Sequence, residues 1–304
     1  MDQALHKKLR AITAGQVLFN EPLDRYTSLG VGGRADMVVF PQSVEELARL
    51  VPFFRENGHP FLVVGNWTNL LVRDGGYRGA MVVMKNLNRI TWEPGDGDTV
   101  MVDAQAGVSL MELVRLSAER ALAGMTFCAG IPGSVGGAVI MNAGAYGQEI
   151  KDILFKATLM DDQAVVTDRL CKDLSFEYRR LNVPEGTIVL GAVFRLACGD
   201  AQGIRRRIDG ILGQRRQKHP LNYPSAGSIF KNPAGHPAGL LIEAAGLKGM
   251  TVGGAKISEK HGNFIINTGG ARASDVLTLI ERVQREILRQ TGIALETEVR
   301  IVGE

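Results

Sequence analysis

Residues 130–147 carry the strongest chemical signal in the chain. Six of these eighteen residues are glycine, and most of the others are apolar. Glycine-rich backbone of this kind can come very close to a ligand and turn bare N–H groups toward it, an arrangement suited to phosphate oxygens. Pro132 stiffens the turn before Gly133, while Asn142 and Tyr146 add polar handles. The same composition also fits a buried strand bounded by turns, because glycine inside a strand marks bulges and tight packing. A second turn runs Gly65-Asn66-Trp67-Thr68-Asn69-Leu70 between apolar segments. It either offers backbone donors to a phosphate or only reverses the chain. Residues 215–219 end a basic run, Arg205, Arg206, Arg207, Arg215, Arg216 and Lys218. Such a run is ordinarily a solvated face, and the functional alternative is that its end reaches an anionic substrate.

The elements that must position these groups follow from pattern. Residues 1–20 read as a short polar helical lead-in. Gly30 to Ala35 matches the G-x-G-x-x-A dinucleotide fingerprint, but no strand precedes it and a strand, residues 36–41, follows it, so a Rossmann reading is rejected. Ser43 and Glu46 form one capping box, opening a helix to about Asn57-Gly58, and Ser109 and Glu112 a second, whose helix ends at Gly124. Strands are expected at 61–64, 80–84, 99–104, 153–160, 164–167 and 187–196, with Asp161-Asp162 in a hairpin turn. A composition shift near Gly199-Asp200-Ala201 marks a domain boundary ahead of the basic helix. Beyond it come a short strand near Ser228, a short helix over 237–246, a strand over 264–267, a long helix capped by Ser274, and a last strand over 295–302. In that strand Val299 and Ile301 share one face, and Glu296, Glu298 and Arg300 the other. Many strands with few, irregularly spaced helices indicate an α+β fold.

Composition excludes several classes. Apolar residues are 45% and charged residues 22% of the 304, as in an ordinary globular protein. No apolar run approaches the roughly 20 residues of a membrane span, and the polar N-terminus does not read as a signal peptide, so a cytoplasmic protein is expected. Cys128, Cys171 and Cys198 are too widely spaced for a disulfide framework or a zinc site. The histidines lack metal-ligand spacing; His6 and His59 are read as structural or solvated. A net charge of +3 is too mild to argue for nucleic acid and is compatible with small anionic ligands.

In order, five blocks resemble the UDP-N-acetylenolpyruvoylglucosamine reductases (MurB), flavoenzymes of bacterial peptidoglycan synthesis. The blocks are Thr27-Ser28-Leu29-Gly30-Val31-Gly32-Gly33, the turn from Gly65 to Val72, the stretch from Gly130 to Gly147, Ala226-Gly227-Ser228-Ile229-Phe230-Lys231-Asn232-Pro233, and Glu298-Val299-Arg300. The resemblance spans roughly residues 20–304. It implies a vanillyl-alcohol-oxidase (PCMH)-type FAD-binding fold in two subdomains, 1–78 and 79–200, and a C-terminal α+β substrate domain, 201–304, whose last strand returns to the active site. FAD would be held non-covalently by Gly65, Asn66, Thr68, Asn69, Leu70, Gly130, Ile131, Pro132, Gly133, Ser134, Gly136, Gly137 and Ala138.

The activity implied is NADPH-dependent reduction of UDP-N-acetylglucosamine enolpyruvate to UDP-N-acetylmuramate. Ser228 would be the proton donor, Arg179 would fix the substrate carboxylate, and Glu298 would assist charge stabilisation or proton transfer. Substrate contacts would come from Tyr178, Arg215, Lys231, Asn232, Lys256, His261 and Asn263. The family tends to be monomeric, with no nucleic-acid or membrane partner. Compactness between Arg180 and Gly203 matches its shorter subtype. Three positions depart from the family pattern: Asn66-Trp67-Thr68 where glycine and serine are common, Leu181 where serine is frequent, and Gly262 where alanine is usual. Another FAD-dependent oxidoreductase of the same fold, an alcohol or sugar oxidase, and a non-catalytic nucleotide-binding protein are the alternatives.

Overall fold

The computed structural model describes residues 3–304, with side chains from Lys7 onward; the reading of the His6 side chain lies outside them. The chain opens with α1 (Gln3–Ile12), β1 (Val17–Pro22), β2 (Arg34–Val39), α2 (Val44–Glu56), β3 (Phe61–Val64), β4 (Leu70–Val72) and β5 (Tyr77–Val83). It continues through β6 (Ile90–Pro94), β7 (Thr99–Gln105), α3 (Leu110–Glu119), β8 (Leu122–Ala123), α4 (Val135–Ile140), β9 (Gly144–Ala145) and β10 (Gln148–Glu149). Next come β11 (Leu154–Met160), β12 (Val166–Leu170), β13 (Ser175–Glu177), β14 (Arg180–Asn182), β15 (Ile188–Cys198) and α5 (Ala201–Lys218). The last elements are β16 (Ser225–Ser228), α6 (Ala238–Ala244), β17 (Thr251–Val252), β18 (Ala255–Ile257), β19 (Phe264–Asn267), α7 (Ala273–Thr291) and β20 (Arg300–Val302). This is the expected α+β class.

Two compact units emerge, one of residues 1–19, 37–66 and 79–213, the other of 20–36, 67–78 and 214–304. In the first, a sheet of order β12-β11-β15-β7-β6, with β8 also on β15, is antiparallel throughout. The apolar run over residues 188–194 makes β15 an interior strand, and Phe127, Val139 and Phe194 lie in the core beside it with no exposed surface. A smaller core around Leu47, Phe54 and Met84 holds α2, next to a sheet of order β1-β2-β5-β3. In the second unit the sheet β16-β19-β18-β17 packs against α7. That helix buries Val276, Leu279, Ile280, Val283 and Ile287, one stripe at helical spacing, and ends where Gly292 turns left-handed at φ 71°.

Several sequence expectations change in detail. Ser43 does cap α2 by accepting the Glu46 N–H at 3.3 Å, but the Glu46 carboxylate turns to Thr13 Oγ1, Ala14 N and Gln42 N. Ser109 makes no side-chain cap, and α3 stops at Glu119, where Ala121 takes up a left-handed φ of 55°, well before Gly124. Residues 130–147 are not one buried strand: a turn leads into α4, and only the short β9 is extended. The last strand is shorter than predicted because residues 296–299 and 300–302 serve different partners. Phe230 bridges Thr297, whereas β20 pairs in parallel with β4, Arg300 opposite Leu70.

Ser274 is not the cap of α7. The helix starts at Ala273, and the carboxylate of Asp74 accepts the N–H groups of Ala273 (2.8 Å) and Ser274 (3.0 Å). Partial burial pushes the Asp74 pKa up, but the hydrogen bonds from Ser274 and Ala273 outweigh it and hold the carboxyl below its ordinary value. Asp74→Ala is expected to lower unfolding stability by about 1 kcal/mol at neutral pH. A depressed folded-state pKa gives stability that is full above the unfolded value and fades as pH falls through the folded one. Denaturant melts should therefore show the gap between wild type and variant narrowing below pH 3.8, the ordinary value of the group.

Candidate active site

In the first unit the two glycine turns are tied together. Asn66 Nδ2 donates to the Gly133 carbonyl at 2.8 Å, and that carbonyl also accepts the Leu110 N–H. A Cβ built at Gly65 would overlap Ser134 Oγ, and one at Gly136 would lie 2.8 Å from the Ala106 Cβ, so only glycine lets these turns approach so closely. Ser134 Oγ caps α4 by accepting the Gly137 N–H at 3.3 Å.

The donor set is narrower than the sequence suggested. The N–H groups of Ile131, Val135, Gly136, Gly137 and Ala138 are all spent on Cys128, Val108, Ala106 and Ser134. Those of Gly133 and Ser134 have no hydrogen-bond partner among the described residues. Gly130 (φ 74°) and Gly133 (φ 153°) set the turn that carries them. Adjacent bare amides, with carbonyls turned into the protein and no side chain in the way, fit the pyrophosphate of FAD.

Arg179 lies in the same unit, in the two-residue turn of the β13–β14 hairpin, where Glu177 pairs with Arg180. Its backbone is left-handed, φ 60°, a position usually given to glycine or asparagine. Its Nη2 donates to the Gly144 carbonyl at 3.0 Å, and its guanidinium lies 4.8 Å over the ring of Tyr178, itself exposed. A guanidinium so presented suits a planar carboxylate.

In the second unit Ser228 and Glu298 are brought together by the backbone. Ser228 ends β16 opposite Phe264, after a register break at Gly227, where φ is 75°. The next residue, Ile229, accepts the Glu298 N–H at 2.8 Å. Asn69 then fixes Glu298 from the other side: its Nδ2 donates to the Glu298 carbonyl at 3.0 Å, and its own carbonyl accepts the Arg300 N–H. The half-buried Ser228 hydroxyl has no partner among the described residues and remains available as a donor. Thr68 accepts Ser28 Oγ at 3.3 Å, and Leu70 opens β4. Trp67, buried at a left-handed φ of 56°, packs 5.5 Å from the Tyr26 ring, and this packing holds a conformation for which glycine is the usual residue.

The other predicted residues divide by how their polar atoms are used. Asn263 is buried and spends its side chain on Phe230, accepting its N–H at 2.9 Å and donating to its carbonyl at 2.8 Å, so it holds the segment after Ser228. Asn232 caps α6 through the Ala238 N–H. Lys231 pairs with Glu296 at 3.2 Å and Lys256 with Glu259 at 2.6 Å, both pairs reaching solvent.

His261 accepts the Asn263 N–H and packs edge-on against His219, both against Phe264. Burial, then Arg215 and other nearby cations, push His219 down to about 4, and burial lowers His261 as well, so both rings are neutral at pH 7. Arg215, half-buried in the last turn of α5, is close enough to lower His219, while Arg205, Arg206, Arg207, Arg216 and Lys218 are exposed. Most of the basic run is thus a solvated face. Sequence reasoning missed the structural use of Asn69 and Asn263, which only the long-range partners reveal.

Among the described residues no helix is long and apolar enough to cross a membrane, and no cluster of His, Cys, Asp or Glu could hold a metal. Residues 35–168 match the profile of an FAD binding domain, and residues 219–302 that of the UDP-N-acetylenolpyruvoylglucosamine reductase C-terminal domain. The chain is 50% identical to a UDP-N-acetylenolpyruvoylglucosamine reductase from Syntrophus aciditrophicus, over 100% of this chain and 97% of the relative. One from Pediococcus pentosaceus is 44% identical over 100% and 99% of the two chains. The crystal structure of the Thermus caldophilus enzyme superposes with a TM-score of 0.80 at 36% identity, covering 95% of this chain and 99% of that one. With its FAD-binding and C-terminal segments both matched and half its residues shared with a full-length relative, this chain belongs to the UDP-N-acetylenolpyruvoylglucosamine reductase family.

Proposed function

We propose that the chain reduces UDP-N-acetylglucosamine enolpyruvate to UDP-N-acetylmuramate with NADPH, as a soluble cytoplasmic monomer that engages neither membrane nor nucleic acid. The division of labour follows the segments 1–78 and 79–200 for the cofactor and 201–304 for the substrate. The observation that carries the reading is that an available Ser228 hydroxyl and Glu298 lie on adjoining segments, joined by the 2.8 Å bond from the Glu298 N–H to the carbonyl of Ile229, the residue after Ser228. FAD, when bound without a covalent link, supplies the hydride chemistry.

The protein's own residues do the rest. The amides of Gly133 and Ser134 hold the cofactor phosphates. Arg179 neutralises the substrate carboxylate and stabilises the charge that builds next to it as the double bond is reduced. Ser228 Oγ gives its proton to the carbon bearing that carboxylate. A hydroxyl is a weak acid, and Glu298 beside it assists the transfer. Arg215, Lys231 and Lys256 supply positive charge for the diphosphate, and Tyr178, Asn232, His261 and Asn263 shape the sugar site.

The test is an anaerobic titration followed by visible absorbance. The yellow protein is expected to bleach with NADPH and to regain its colour on addition of the UDP-linked enolpyruvyl sugar. Colour that returns only with oxygen would replace this reading with an oxidase.

A further inference from the structure

The Arg179 turn is clasped to the segment that continues the glycine-rich turn, and the clasp works in both directions. Asn142 Nδ2 donates to the Glu177 carbonyl at 3.1 Å, two residues before Arg179. In return Arg179 Nη2 donates to the Gly144 carbonyl at 3.0 Å, two residues after Asn142. Asn142 is 0% exposed, and its amide is fully used. Its second N–H goes to Glu149 Oε2 at 2.9 Å, and its Oδ1 accepts the Lys151 N–H at 3.2 Å. Glu149 is held in turn by Lys151 Nζ at 2.9 Å and by its own N–H on Asp152. Asn142 also adopts a left-handed φ of 40°, so both ends of the clasp sit in backbone conformations that L side chains rarely take.

We infer that Asn142 is a positioning residue for the reductase reaction: by fixing the Glu177 carbonyl it sets where Arg179 holds the substrate carboxylate relative to the cofactor turn. The inference rests on the reading of Arg179 given under Proposed function. The physical reason is that a guanidinium on a two-residue hairpin turn has little backbone of its own to hold it. A buried, fully bonded amide supplies a rigid reference, and it does so from the same segment that carries the Gly133 and Ser134 amides. Placement errors of about 1 Å at a reacting centre cost about 100-fold in rate.

The test is a double-mutant cycle between Asn142→Gly and Arg179→Ala, read as kcat/KM for the UDP-linked enolpyruvyl sugar. Glycine removes the amide while accepting φ 40°, so the backbone is not forced to move. Asn142→Gly is expected to lower kcat/KM by about 100-fold while the protein keeps its FAD and its visible spectrum. In the Arg179→Ala background the same change is expected to cost less than about twofold, since the group it acts through is gone. An equal loss in both backgrounds, or no loss in either, overturns the inference. If Arg179→Ala alone keeps full turnover, it is the reading of Arg179 that fails, and that result is separate from the cycle. Asn142→Asp, which keeps the shape and removes the donor, is the second variant. If both Asn142 variants lose FAD, the residue holds the fold and not the arginine, and the inference is likewise overturned.

Discussion

Ser228→Ala is expected to leave FAD bound and to lower turnover by about 10²–10⁴-fold, the usual contribution of a positioned proton donor. The protein should tolerate the change. Ser228 is only half-buried, its hydroxyl has no hydrogen-bond partner among the described residues, and its pairing opposite Phe264 is made by backbone. Removing the oxygen therefore leaves no buried group unsatisfied and no cavity of consequence. The neighbouring scaffold is equally independent of it: Ile229 and Phe230 are held by Asn263, and Glu298 by Ile229 and Asn69. The measurement is steady-state kcat with NADPH and the UDP-linked enolpyruvyl sugar, alongside the flavin absorption spectrum of the variant. An unchanged spectrum with lost turnover places the loss in proton transfer. Retained turnover would mean that another group protonates the substrate and that Ser228 only ends a strand.

How much of this was legible in the sequence depended on the range of the interaction. Periodicity and turn chemistry are local, and they located α2, α5, β15, the hairpin turn at Asp161-Asp162 and the strand after Gly30 to within a few residues. Caps failed where a distant group outcompeted the neighbour. Glu46 is drawn to Thr13 and Ala14, and α7 is capped by Asp74, about 200 residues away in sequence. Spacing within the chain cannot encode such partners.

The site shows the same division. That residues 65–70 and 130–138 could approach a ligand closely was readable from glycine content. Which amides remain for it was not, because five of them are consumed by carbonyls of Ala106, Val108, Cys128 and Ser134 and by the Ser134 hydroxyl. Asn263 and Asn232 were read as substrate contacts from the family pattern, and the structure adds that their side chains brace Phe230 and α6. Asparagine serves both purposes equally well, and only the partner distinguishes them. Trp67 lies in the stretch that departs from the family's glycine and serine pattern, and its left-handed backbone is one that glycine takes without strain.

Gly65→Ala is expected to weaken FAD binding by about 10- to 100-fold, the effect of about 1–3 kcal/mol of overpacking at a tight approach. The added methyl would overlap Ser134 Oγ and lie 3.1 Å from Ser134 Cβ. Rotating the serine away would free the oxygen but would break its bond to the Gly137 N–H and so loosen the start of α4. Moving the backbone would strain the bond from Asn66 to Gly133, the tie between the two turns. Either response displaces the Gly133 and Ser134 amides proposed to hold the phosphates. The mechanism makes a second, sharper demand. In a Ser134→Gly background the overlap is absent, so Gly65→Ala should cost much less there than in the parent, even though Ser134→Gly has its own cost from the lost cap. Isothermal titration of the apoproteins with FAD measures all four corners. If Gly65→Ala weakens binding equally with and without the serine, the close approach of these turns is not what the glycine provides.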